Sequence, residues 1–170
     1  NIEVLEPART KRVGAARLHL GLVRVTTTVT GYRVKEAVTR MLLSSQDLDL
    51  PPQELVTTAI WYDWQPDVVM AAGVVPHALP GALHAAEHAA IGILPLFTIC
   101  DRWDVGGLST ACQAETQRPT IIIYDAMPGG AGVAELGYEA ADRHLAATLE
   151  SIEACSCAEG CPSCVQSPKC

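Results

Sequence analysis

Arg17-Leu18-His19-Leu20-Gly21-Leu22-Val23-Arg24-Val25 reads as β-strand. Leu18, Leu20 and Leu22 alternate with Arg17, His19 and Gly21, after which the phase slips by one residue and Val23, Val25 and Val29 alternate with Arg24, Thr26, Thr28 and Thr30. A slip beside a glycine predicts a bulge at Gly21. The strand pattern runs from Val13 to Tyr32 and returns over Glu54–Trp64, where Val56, Thr58, Ile60 and Tyr62 share one side and Leu55, Thr57, Ala59 and Trp61 the other. Between them Arg33–Leu43 fits strand or helix, and Ser44–Gln53 reads as a polar connection in which Pro51 and Pro52 exclude a central strand. Residues 1–65 are therefore expected to form a mostly antiparallel, basic β subdomain.

Residues 66–154 read as a helical α/β core. Leu79–Leu96 predicts a helix, with Pro80 suited to the first turn and Leu79, Leu83, Ala86, Ala90 and Leu94 on one stripe. Thr120-Ile121-Ile122-Ile123-Tyr124-Asp125 is a short apolar run suited to a buried strand. A second helix is expected over Val133–Ala154, with Leu136, Ala140, Leu145, Leu149 and Ile152 as its apolar positions. The fold class is α+β: an N-terminal antiparallel β region, an α/β segment with two main helices, and a cysteine-rich tail over residues 155–170.

That tail holds five of the seven cysteines. The pairs Cys155/Cys157 and Cys161/Cys164 supply four thiolates close enough in sequence to close a tetrahedron around one Zn2+. The C-x-C pair is tighter than the usual ribbon spacing, and an iron–sulfur cluster or redox chemistry stays open as an alternative. Cys170 is a fifth candidate, whereas Cys100 and Cys112 read as small apolar core residues. Clustered free thiols and an odd cysteine count suit a reducing compartment, so the cytoplasm is expected.

With 170 residues and 49% hydrophobic content the chain can bury an ordinary core without help from metal. No apolar run is long enough to span a membrane, and the first residues lack a signal pattern. The net charge of −7 is unevenly spread. Residues 1–40 carry eight Lys/Arg against three Glu, a net of +5, and the remainder carries −12. Any phosphate contact is expected in the first forty residues, with Arg17, Arg24, Arg33 and Lys35 as candidate nucleic-acid contacts. A solvated basic face is the plain alternative.

Two further patterns carry chemistry. His84-Ala85-Ala86-Glu87-His88 matches H-x-x-E-H, which puts two imidazoles one helical turn apart with a carboxylate between them and would allow a metal-dependent hydrolase. Its structural alternative is a set of core histidines bonded to Asp101, Asp104 or backbone carbonyls. Pro128-Gly129-Gly130-Ala131-Gly132 resembles a phosphate cradle but lacks the Lys-Ser/Thr of a nucleotide loop, so a tight turn holding the helix on its own strand is expected. No ATP-hydrolysing machinery is present.

Three blocks taken in order resemble a known family: Leu83–Ala90 through Cys100-Asp101-Arg102-Trp103-Asp104-Val105-Gly106-Gly107; Ile123-Tyr124-Asp125 with the glycine turn; and Cys155 through Cys164 into Val165-Gln166-Ser167-Pro168-Lys169-Cys170. They are similar to the C-terminal zinc-binding domain of the MrfA/SftH-type DEAD/DEAH-box DNA-repair helicases. The resemblance implies Zn2+ held by Cys155, Cys157, Cys161 and Cys164, and a place beside the RecA-like lobes of an ATP- and Mg2+-dependent 3′-to-5′ helicase. It assigns no catalytic role to His84, Glu87, His88 or Asp101. The expected function is a non-catalytic module supporting such a motor and its DNA, with a hydrolase or a protein-docking module as alternatives.

Overall fold

The computed structural model describes residues 1–167. Cys170 lies outside the described residues. Strands β1 (Ile2–Val13) and β2 (Ala16–Thr27) form a long hairpin that turns at Gly14, whose φ of +56° favours glycine. A separate ribbon follows, β3 (Gly31–Lys35) with β4 (Leu42–Asp47), and then β5 (Gln53–Asp63) returns to the main sheet. Next come the short helix α1 (Pro66–Ala71), helix α2 (Leu79–Ile93), β6 (Val105–Thr110), β7 (Thr120–Asp125) and helix α3 (Val133–Glu153). The main sheet is antiparallel throughout in the order β1-β2-β5-β7-β6, so the α+β class holds.

Helices α2 and α3 cover one face. Leu18 and Leu20 of β2, Ile60 and Tyr62 of β5, and Ile121 and Ile123 of β7 meet Leu83, Ala90, Leu94, Val133, Ala134, Tyr138 and Ala141 there. On the opposite face Val23 and Val25 join Ile2, Ala59, Trp61 and Ile122 in a second buried cluster. The two halves of β2 thus bury opposite faces, which is what the phase slip records.

The bulge expected at Gly21 is not in that strand. Pairing of β2 with β5 runs without a break from Arg17 opposite Asp63 to Thr27 opposite Gln53. The irregularities lie in β1, between Val4 and Glu6 and between Pro7 and Arg9. They bend β1 against β2, and a Cβ on Gly21 would stand only 2.1 Å from the Glu6 carbonyl oxygen. The glycine marks a close approach by the bulged neighbour. The far ends of the coiled sheet also meet, for Gln113 Nε2 after β6 donates to the Ile2 carbonyl at 3.4 Å.

Other expectations change in detail. The polar connection 44–53 contains most of β4, whose residues are all exposed, because β3 and β4 pair with each other and with no core. Strand β6 follows directly on the turn that Asp101 and Asp104 close. The stripe on α2 faces inward as expected, with Leu83, Ala90 and Leu94 buried and Leu79 and Ala86 against them. On α3 the apolar positions divide otherwise: Leu136 and Leu149 are exposed, while Ala134, Gly137, Ala140, Ala141, His144 and Thr148 are buried. Small residues let this helix approach closely; a Cβ on Gly137 would sit 3.2 Å from Ile60 Cδ1 and 3.5 Å from Leu94 Cδ1. Among the described residues no helix is long and apolar enough to cross a membrane.

Candidate metal centre

Helix α3 ends at Glu153 and delivers the chain into the cysteine tail, with the Cys155 amide still donating to the Ile152 carbonyl at 3.2 Å. The four sulfurs then converge. Sγ of Cys155 lies 3.4 Å from that of Cys157 and 3.5 Å from that of Cys161, while Cys164 Sγ lies 3.5 Å from Cys157 and 3.7 Å from Cys161. A tetrahedron of zinc–thiolate bonds near 2.3 Å would separate its sulfurs by about 3.8 Å, so a single ion fits this set. The spacing is far beyond the roughly 2.05 Å of a disulfide, and the four are free thiols. It is also too tight for a multi-iron cluster to sit between the ligands.

Backbone contacts shape the cup around the four sulfurs. Cys161 N–H points at Cys164 Sγ at 3.3 Å, and Cys164 N–H bonds the Cys161 carbonyl at 3.0 Å. Gly160 takes a φ of +85°, and a Cβ there would meet Val165 Cγ2 at 2.6 Å. The Cys161 amide is the main reason that the Cys164 thiol is lowered to about 7. Cys157 is held up to about 12, chiefly by its hydrogen bond with Cys155 and then by that with Cys164. Four crowded thiols cannot all ionise unless a cation takes up the charge.

A second group lies on α2. One donor atom each from His84, Glu87 and His88 fall within 4.8 Å of one another. His84 Nδ1 is 3.4 Å from Glu87 Oε2, which also accepts from Ser109 Oγ of β6 at 2.6 Å. His88 Nδ1 donates to the Val165 carbonyl at 2.9 Å, directly beyond Cys164. Asp101 and Asp104 instead close their own turn: the Asp101 amide bonds Asp104 Oδ2 at 2.7 Å, and the Trp103 amide bonds Asp101 Oδ1 at 3.1 Å. Ser109 carried no signal in the sequence, and the meeting of Val165 with His88 is set by tertiary packing.

The glycine turn is a tight turn, as expected. Asp125, fully buried, accepts from the backbone N–H groups of Ala131 at 2.5 Å, Val133 at 3.2 Å and Ala134 at 2.9 Å. A carboxylate of the chain itself occupies the anion position at the start of α3. Cys100 packs half-buried against the core, but Cys112 is exposed in the β6–β7 loop, with Sγ 3.3 Å from Gln117 Oε1.

The four basic candidates fall into two environments. Arg17 shares the buried carboxylate of Asp63 with His19 and Arg118, at 3.2, 2.7 and 3.0 Å. Arg24 pairs with Glu3 at 2.7 Å and approaches Glu54 at 3.8 Å. Arg33 and Lys35 stand exposed on β3 beside Tyr32, and among the described residues no carboxylate forms an ion pair with either.

Residues 86–165 match the profile of the MrfA Zn-binding domain. The chain is 33% identical over 165 residues to the uncharacterized ATP-dependent helicase YprA of Bacillus subtilis, covering 96% of this chain and 22% of that protein. It is 42% identical over 91 residues to the uncharacterized protein MJ1572.1 of Methanocaldococcus jannaschii, covering 52% of this chain and 81% of the relative. In structure it is similar to the DUF1998 helicase MrfA bound to DNA, with a TM-score of 0.78 and 31% identity over 99% of this chain and 22% of that one. The chain thus spans about a fifth of the length of YprA and of MrfA.

Proposed function

Because this chain belongs to the family of the MrfA Zn-binding domain, we propose that it is an accessory zinc-binding module of an ATP-dependent 3′-to-5′ DNA-repair helicase. The observation that carries this reading is the four-thiol cup at the end of α3, set in a fold that matches the DNA-bound MrfA helicase over 99% of the chain. Cys155, Cys157, Cys161 and Cys164 hold the Zn2+, whose chemistry here is to fix four thiolates and thereby the path of the tail. ATP and Mg2+ belong to RecA-like lobes elsewhere in the parent protein.

The module's own residues provide a packed body of sheet and helices with one separate ribbon. Strands β3 and β4 form a ribbon outside the main sheet, and an isolated two-stranded ribbon is marginal in water. Its Arg33 and Lys35 share one face of β3 and Tyr32 the other, where its hydroxyl donates to Gln46 Oε1 at 2.8 Å; two cations and an exposed ring on one ribbon suit the tracking of single-stranded DNA. Arg17 and Arg24 stay engaged with carboxylates of the sheet and serve it structurally.

The test replaces Cys161 and Cys164 by Ser in the full parent helicase. The variant is expected to lose one zinc per chain and to unwind DNA more slowly, with its tail opened to protease. Unchanged zinc content or unchanged unwinding would overturn the reading.

A further inference from the structure

We propose that His84, Glu87 and His88 form a second, independent metal site that takes a divalent cation of the Zn2+ class. The first argument is the state of Glu87. Its carboxylate is in the middle of α2 with the residue only 4% exposed, and among the described residues no Lys or Arg pairs with it. That carboxylate is met by His84 Nδ1 at 3.4 Å and Ser109 Oγ at 2.6 Å, and a cation held there would offset the cost of its burial.

The second argument is distance. His84 Nδ1 and Glu87 Oε2 are 3.4 Å apart, long for a charge-assisted hydrogen bond of about 2.7–2.9 Å. Two donors on one tetrahedral zinc, with bonds near 2.0–2.1 Å, are separated by about 3.3–3.4 Å. All three side chains bring a donor atom within 4.8 Å of the others.

The surroundings are built for the same purpose. Ser109 Oγ donates to Glu87 Oε2 at 2.6 Å, and His88 Nδ1 donates to the Val165 carbonyl at 2.9 Å. Such outer contacts orient ligands in established metal sites. Strand β6 also yields space: a Cβ on Gly107 would stand 2.4 Å from Glu87 Oε1 and 2.7 Å from Ile91 Cδ1. His84, with half its side chain exposed, opens the group to a cleft that Gly81, Ala85 and Val165 help to line.

Two imidazoles and one carboxylate are a donor set for zinc-like ions, and they differ from the all-sulfur tail in a way that spectra can read. The ion would join α2 and β6 to the strand of tail just past Cys164. This proposal does not rest on the helicase reading, because it concerns different ligands.

The test is metal stoichiometry of the full chain at micromolar free Zn2+, followed by Co2+ substitution. Two ions per chain are expected, one showing a thiolate-to-cobalt charge-transfer band and one without it. His84→Ala, at a half-exposed position, and Glu87→Gln should each remove the ion without the thiolate band, or weaken it by about tenfold or more, and leave the other. Cys161→Ser with Cys164→Ser should do the reverse. A native chain that binds only the thiolate-bound ion, or a second ion indifferent to both His84→Ala and Glu87→Gln, would overturn the proposal. A native chain that binds only the non-thiolate ion would instead overturn the tail assignment and leave this one standing.

Discussion

The carboxylate of Asp125 lies 2.9 Å from the backbone nitrogen of Ala134, so the last residue of β7 caps the helix that follows it. The same side chain accepts from Ala131 and Val133, and its own carbonyl accepts from Thr57 Oγ1 at 2.9 Å. One residue therefore locks strand, glycine turn and helix together. Replacing Asp125 by Ala should cost about 2–3 kcal/mol, since charged acceptors of buried N–H groups are worth more than ordinary caps. Urea denaturation of the two proteins measures it, and a loss under about 0.5 kcal/mol would refute the capping role.

Gly21 is the corresponding backbone constraint in the sheet. An alanine Cβ there would press on the Glu6 carbonyl, so Gly21→Ala should destabilise the β1–β2 hairpin by about 1–3 kcal/mol. Gly14→Asn, at a turn with open space and a φ of +56°, should cost less than about 1 kcal/mol. Thermal unfolding of both variants ranks the two positions, and equal losses would contradict the close-approach argument.

His144 sets an acid limit. Burial lowers its pKa below the usual 6.5, partly offset by the hydrogen bond from Nε2 to the Ala90 carbonyl. Its Nδ1 is buried with no hydrogen-bond partner among the described residues, so a proton there would be stranded. The unfolded chain takes up a proton near pH 6.5 while the native chain still resists it, and stability should fall as pH drops through 6.5 toward the lower native value. His144→Gln should flatten that slope between about pH 6.5 and 5, and an unchanged slope in denaturation series would place the acid limit elsewhere.

Metal removal should act locally. The helix-side core is built from strands β2, β5 and β7 with α2 and α3, and no tail cysteine belongs to it. A strong chelator is therefore expected to open residues 155–167 to protease while far-UV circular dichroism stays close to that of the metal-bound protein. Cooperative loss of the whole signal would show that the tail supports the core as well.

On the ribbon, Arg33→Ala with Lys35→Ala in the parent protein should weaken single-stranded DNA binding. It should also reduce the slope of log affinity against log salt by about 1.4, the value for two released counterions on a single strand. The same pair of changes at Arg17 and Arg24 should mainly reduce stability, because those guanidinium groups face Asp63 and Glu3. DNA binding that depends on Arg17 and Arg24 but ignores Arg33 and Lys35 would reverse this assignment.

The sequence by itself determined those features whose cause is local. Periodicity placed β2, β5, β7, α2 and α3 to within a few residues, because apolar spacing along a strand or helix follows from its own repeat. Cysteine spacing alone marked the tail, since four thiols two to nine residues apart can close on one ion without help from the rest of the chain.

Tertiary structure decided what depends on a distant neighbour. The slip at Gly21 looked like a local bulge, yet the irregularity lies in β1, and β2 changes phase because opposite faces of its two halves are covered. Ala140 and Leu145 of α3 face the core as expected, but close packing on Ile60 and Leu94 buries Ala134, Gly137 and Ala141 and leaves Leu136 and Leu149 exposed. Arg17 and Arg33 are alike in sequence; only the fold sets one against Asp63 and leaves the other exposed on the ribbon. Likewise H-x-x-E-H is a weak pattern until Ser109, Gly107 and the Val165 carbonyl gather around it, because burial of a carboxylate is a property of the packed chain and not of its spacing.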